Sequence, residues 1–229
     1  MASASQKNRI EAKPLENDWF HDILEHITTV VHVLAIGLTI FIIYLCFLDA
    51  SFDLRTWHVF LYTVGWILLV SEGILYITKE NILAKRATSR WRNHAHWVVI
   101  MLGVGLSIGG FVTIYYTKNG THYTSTHGLT GLISGVLGCV ACINGVPTLF
   151  STTLRKRIPP NWNKLFHAFI GFAAVVIGTY SMITGYYLRW FTSKTNAANT
   201  CFAITVFITF WVLLRPLINM FTRAKNVFS

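Results

Sequence analysis

Apolar residues along this chain gather into six long runs. They lie near Ile27–Leu48, Trp57–Ile77, Ala95–Thr117, Thr126–Gly145, Leu165–Leu188 and Thr200–Phe221, with short polar connections between them. Each run holds about 20 residues, which at ~1.5 Å per residue crosses a ~30 Å hydrocarbon core. The pattern predicts an all-α membrane protein with six transmembrane helices. It divides the chain into a leader (1–26), a six-helix domain (27–221) and a tail (222–229). In the leader, Leu15, Trp19, Ile23 and Leu24 recur at helical spacing. Two readings suit that stretch: a helix lying along the membrane surface, or a polar leader. No apolar core directly follows Lys7, Arg9 and Lys13, so the leader does not read as a signal peptide.

Composition agrees with the membrane class, at 53% hydrophobic and 12% charged. The net charge of +10 raises nucleic acid as a partner. The basic residues, however, sit in short clusters between apolar runs, which is the pattern of charges that set topology. Lys7, Arg9 and Lys13 precede the first run. Lys79, Lys85, Arg86, Arg90 and Arg92 fill the second connection, Arg155, Lys156, Arg157 and Lys164 the fourth, and Arg223 and Lys225 the tail. The alternate connections carry only Arg55, Lys118, Arg189 and Lys194. The positive-inside rule places both termini in the cytosol. An endomembrane, endoplasmic reticulum or vesicle, is favoured over the plasma membrane. Asn119-Gly120-Thr121 forms a glycosylation sequon in a loop predicted outside the cytosol. Cys139 and Cys142 have CxxC spacing, but Ile143 follows, so covalent haem attachment is excluded. Cys46 and Cys201 read with them as buried thiols.

His58, His96, His127 and His167 stand in the first turns of predicted helices two, three, four and five. Helices two and four start on the non-cytosolic side, three and five on the cytosolic side. His58 and His127 therefore share one leaflet, His96 and His167 the other. A polar side chain in hydrocarbon is expensive and defaults to a functional or paired role. Small residues accompany each histidine. Gly131, Ser134, Gly138 and Gly145 follow His127 at +4, +7, +11 and +18, and Gly171, Ala174, Gly178 and Gly185 follow His167 at the same offsets. Gly103 and Gly110 follow His96, and Gly65 and Gly73 follow His58. Close helix packing accounts for small residues. Their phase with histidine in four helices points to planar macrocycles wedged between helices, two haems each with two axial histidines. Two axial histidines leave iron no open position, which favours electron transfer over oxygen activation. The irons would stand roughly 20 Å apart across the bilayer.

Other polar residues carry open readings. From His94, offsets of +7 and +14 reach the bulky Met101 and Ile108, so His96 is the ligand and His94 faces the cytosolic mouth. His32, without a small-residue face, reads as structural. Glu72 either pairs with a basic loop residue or serves proton balance near the cytosolic haem. His122 either contacts a substrate near the outer haem or is a solvated loop residue. The alternative to a haem protein is a histidine-lined transporter for protons or metal ions.

Four histidines opening four consecutive helices among six resemble the cytochrome b561 family. Trp57-His58, His96-Trp97, Thr126-His127-Gly128 with Gly131, and Phe166-His167 with Gly171 look like its ligand motifs. The stretch His32–Phe41 and the pair Ser71-Glu72 look like its cytochrome b561 domain-containing protein 2 branch. The resemblance implies a homodimeric transmembrane reductase, with helices 2–5 forming a four-helix core around two b-type haems. It implies His58 with His127 on the non-cytosolic haem and His96 with His167 on the cytosolic one. It also implies ascorbate as donor and monodehydroascorbate or ferric iron as acceptor. The family often has a basic, ascorbate-binding residue two positions before the second ligand, where this chain has His94. Lys85, Arg86, Arg90, Arg92 and Lys164 are the candidates for holding an anionic donor, beside the plainer reading of topological or headgroup-binding charge.

Overall fold

A computed structural model describes residues 18–48, 51–117, 120, 122–154, 156–157 and 159–228. Most of the leader, the sequon's Asn119 and Thr121, and Lys118 and Arg155 lie outside the described residues. Among the described residues, six helices are long and apolar enough to cross a membrane. They are α1 (Asp18–Phe47), α2 (Leu54–Leu75), α3 (Ser89–Thr117), α4 (Thr126–Leu149), α5 (Pro160–Tyr186) and α6 (Ala198–Phe228).

The predicted runs are all present, and the helices overshoot several of them. α1 begins at Asp18, so Trp19, Ile23 and Leu24 belong to one continuous helix with the first span. α3 and α5 each gain a turn or more ahead of their histidines. Polar helix starts are invisible to a hydropathy pattern but carry their own signals. Asp53 accepts the Thr56 N–H at 2.8 Å at the start of α2, and Ser125 accepts the Gly128 N–H at 3.2 Å at the start of α4. Pro160 opens α5, where a missing N–H costs nothing.

The helices pack as two antiparallel pairs, α2 on α3 and α4 on α5. Within the first pair, Gly65 and Gly103 meet backbone to backbone: a Cβ on either would lie 2.6–2.7 Å from the other's carbonyl oxygen. Contacts between the pairs are sparser, mainly α3 with α4. α6 covers α5, and α1 packs on α2 and α6. The buried face of α1 is Val31, Ala35, Leu38, Ile42 and Leu45, a stripe spaced by three and four. Its other face, including Val33, Ile40 and Tyr44, is exposed, as lipid requires. Part of α2, Thr63–Val70, winds as π-helix.

Polar ties hold the end of the bundle where α1 begins and α6 ends. Lys85 donates to Glu25 at 2.7 Å, and Arg215 of α6 pairs with Glu80. Both fix the α2–α3 connection to the outer helices. Glu72 pairs not with a basic loop residue but with His32 of α1, whose Nδ1 lies 2.7 Å from its carboxylate.

Candidate functional site

All four threshold histidines are held in the same way. His58 Nδ1 donates to the Gly110 carbonyl at 2.9 Å and His96 Nδ1 to the Gly73 carbonyl at 2.7 Å. His127 Nδ1 donates to the Ser181 carbonyl at 2.8 Å and His167 Nδ1 to the Ala141 carbonyl at 3.1 Å. The bonds are reciprocal within each helix pair: α2 to α3 and back, α4 to α5 and back. A carbonyl only accepts, so the proton sits on Nδ1 in each ring. Nε2 is left with the lone pair, which is the arrangement of a metal-ligating histidine.

Across the pairs the rings face one another. His58 and His127 have centroids 6.1 Å apart, and His96 and His167 6.4 Å apart. An imidazole nitrogen binds a metal at about 2.0 Å, and the ring centre lies roughly 1.2 Å further back, so two axial rings on one iron sit roughly 6.3 Å apart. Both pairs match that spacing. The donor set agrees as well. Among the described residues no three His, Cys, Asp or Glu side chains converge on one point. A bare zinc site needs three or four ligands, whereas a macrocycle supplies four donors of its own and needs two.

The space suits a planar group at the His58/His127 level. A cavity of ≈ 420 Å³ there is lined by His58, His127, Arg55, Arg189, His122 and Tyr123, among others. Glycines keep room for the rings: a Cβ on Gly185 would lie 3.2 Å from His127 Cε1, and one on Gly145 3.3 Å from His167 Cε1. A Cβ on Gly171 would meet nothing within 4 Å. Gly65 and Gly103 instead serve helix contact, and Gly178 makes way for the Trp66 ring. The phase of small residues with histidine thus has several causes, of which room for a macrocycle is one.

The remaining candidates divide by end. His122 stacks on Tyr115 at 4.3 Å and lines the cavity, so it is not simply solvated. Arg55 and Arg189 line the same cavity and give it positive charge. Sequence reasoning took both only as topological charges; their place at helix ends, Arg55 in the first turn of α2 and Arg189 shortly after α5, was the available signal. At the other end His94 is exposed, and Lys164 is half-buried in the first turn of α5. Arg92 donates to the Ala87 carbonyl at 3.0 Å and to Ser89 Oγ at 3.2 Å, which engages its guanidinium locally.

Residues 57–192 match the model of eukaryotic cytochrome b561. The matched stretch covers more than half of the chain and contains all four histidines. The chain belongs to the cytochrome b561 family. Among its relatives is the human transmembrane reductase CYB561D2, 28% identical over 200 residues, covering 86% of this chain and 89% of the relative. The mouse protein of that name is 26% identical over the same extent. The human probable transmembrane reductase CYB561D1 is 24% identical over 181 residues, covering 77% of this chain and 78% of the relative. No solved structure matches. Membership of a b561 family of transmembrane reductases, with six apolar helices, makes the chain an integral membrane oxidoreductase of transmembrane electron transfer, and it implies haem b.

Proposed function

We propose that the chain carries electrons across a membrane from ascorbate on the cytosolic side to monodehydroascorbate or ferric iron on the other, using two haems b. The observation that carries this reading is the pair of facing imidazoles at each level, with Nδ1 fixed by a carbonyl and centroids 6.1 and 6.4 Å apart. His96 and His167 would hold the cytosolic haem, and His58 and His127 the non-cytosolic one. When bound, each haem would supply a one-electron iron couple. The Gly110, Gly73, Ser181 and Ala141 carbonyls fix the tautomer and orient the imidazoles.

The protein's remaining work is at the two mouths. His94, Lys164 and Arg92 lie at the cytosolic mouth and receive the anionic donor. His122, beside Arg55 and Arg189, meets the acceptor at the opposite cavity. Apolar helix surface between the mouths keeps water and ions from following the electron.

A reduced-minus-oxidised absorption spectrum of the purified protein tests the reading. A b-type signal at two haems per chain is expected, and its absence would sink the proposal. His96→Ala and His167→Ala are each expected to remove the same haem, and loss of different ones would refute the pairing. His94→Ala is expected to keep both haems and lose reduction by ascorbate.

A further inference from the structure

Midway along α2 between the two histidine levels lies Trp66. It stands eight residues beyond His58 and seven before Gly73, the residue whose carbonyl holds His96. Its indole leaves the α2/α3 pair and reaches into the α4/α5 pair. A Cβ added to Gly178 of α5 would lie 2.2 Å from Trp66 Cζ2, and Ser134 Oγ of α4 would lie 2.5 Å from that same point. Gly178 therefore has no side chain where the indole sits. Trp66 is only 5% exposed. Toward one level it continues through aromatic neighbours, with Trp66 to Tyr62 at 6.5 Å and Tyr62 to His58 at 5.1 Å between centroids.

Two features show that this placement is not simply good packing. Trp66 lies in the π-helical stretch Thr63–Val70, an irregularity that in other helices marks functional sites. Its Nε1–H is buried with no acceptor among the described residues. A buried unpaired donor is destabilising, and leucine or phenylalanine here would avoid that cost. Tryptophan's extra reach and π system are what those residues lack.

We propose that Trp66 is the aromatic bridge through which electrons cross between the His96/His167 level and the His58/His127 level. The inference rests on the two-haem reading above. One electron leaves the reduced centre at one level and arrives at the oxidised centre at the other. No bond forms or breaks, no proton moves, and Trp66 itself undergoes no net oxidation. Its contribution is coupling: bonded and closely packed atoms of Trp66, Ser134 and Gly178 join the two helix pairs, between which direct helix contacts are few.

The test uses the full chain with both haems in nanodiscs. A flash-activated ruthenium photoreductant delivers one electron, and visible absorption follows its redistribution between the centres. Trp66→Leu is expected to slow redistribution by about tenfold, with both haem spectra and both midpoint potentials retained. Trp66→Phe is expected to fall between, and Gly178→Ala, which displaces the indole without removing it, to slow transfer too. An unchanged rate in the two-haem Leu or Phe variants removes the bridge. Loss of haem from all three variants also removes it, assigning Trp66 to holding the site. Fewer than two haems in the unsubstituted protein removes the two-centre reading first, and the bridge with it.

Discussion

At the scale of single residues, the four imidazoles share one constraint and differ in what surrounds them. Each is aimed by a backbone carbonyl, so ring orientation depends on helix register and not on another side chain. The planes within each pair are nearly perpendicular, at 90° and 87°. If each pair holds a haem iron as proposed, rings so crossed would leave its dπ orbitals almost degenerate, and electron paramagnetic resonance of the oxidised protein is expected to show strongly anisotropic low-spin signals. The two centres should also be separately adjustable. A Cβ at Gly185 would lie 3.2 Å from His127 Cε1, and one at Gly145 3.3 Å from His167 Cε1. Each ring must yield by a few tenths of an ångström. Gly185→Ala is expected to change the resonance and potential of the His58/His127 centre alone, and Gly145→Ala those of the other. A change in both centres from either substitution would contradict the pairing.

At the scale of helices, α1 is tied to the α2/α3 pair by His32 and Glu72. The two side chains are 9% and 14% exposed, and the histidine Nδ1 lies 2.7 Å from the carboxylate. Removing one partner leaves the other buried and unpaired, at about 1–3 kcal/mol. Thermal unfolding in detergent should show His32→Leu and Glu72→Leu each destabilising by that amount. The double variant should lose clearly less than the sum, and additive losses would mean that the pair is not coupled. This tie also shows where sequence reading stops. Six spans, their order and the four ligand candidates were legible because hydropathy and helical phase are local properties. Glu72 was legible as a costly carboxylate, but periodicity gives a face and not the residue opposite it. Its partner, 40 residues earlier, was therefore missed. The carbonyls of Gly110, Gly73, Ser181 and Ala141 carry no side-chain signal at all. The π-helical turn and the reach of Trp66 emerge only when four helices are packed together.

At the scale of the molecule, the direction of electron flow depends on which end faces the cytosol. The two histidine levels are built alike, a repeated plan of two helix pairs, and do not themselves distinguish the ends. Charge does. Lys79, Lys85 and Arg86 join α2 to α3, Arg90 and Arg92 stand in the first turn of α3, and Lys156 and Arg157 lie between α4 and α5, all at the His96/His167 end. Arg55, Arg189 and Lys194 lie at the other. Some of the first group are engaged: Lys85 binds Glu25 and Arg92 binds Ala87 and Ser89. Arg86 and Arg90 remain exposed, and cytosolic anionic headgroups favour each such charge by about 1 kcal/mol. Single cysteines test the orientation in a background with Cys46, Cys139, Cys142 and Cys201 replaced. Arg86→Cys and Ser193→Cys sit at exposed positions on opposite ends. In sealed right-side-out vesicles, an impermeant maleimide is expected to label Ser193→Cys at once and Arg86→Cys only after permeabilisation. The reverse order would turn the molecule over. His94, Arg92 and Lys164 would then face away from cytosolic ascorbate, and the Arg55/Arg189 cavity would become the donor site.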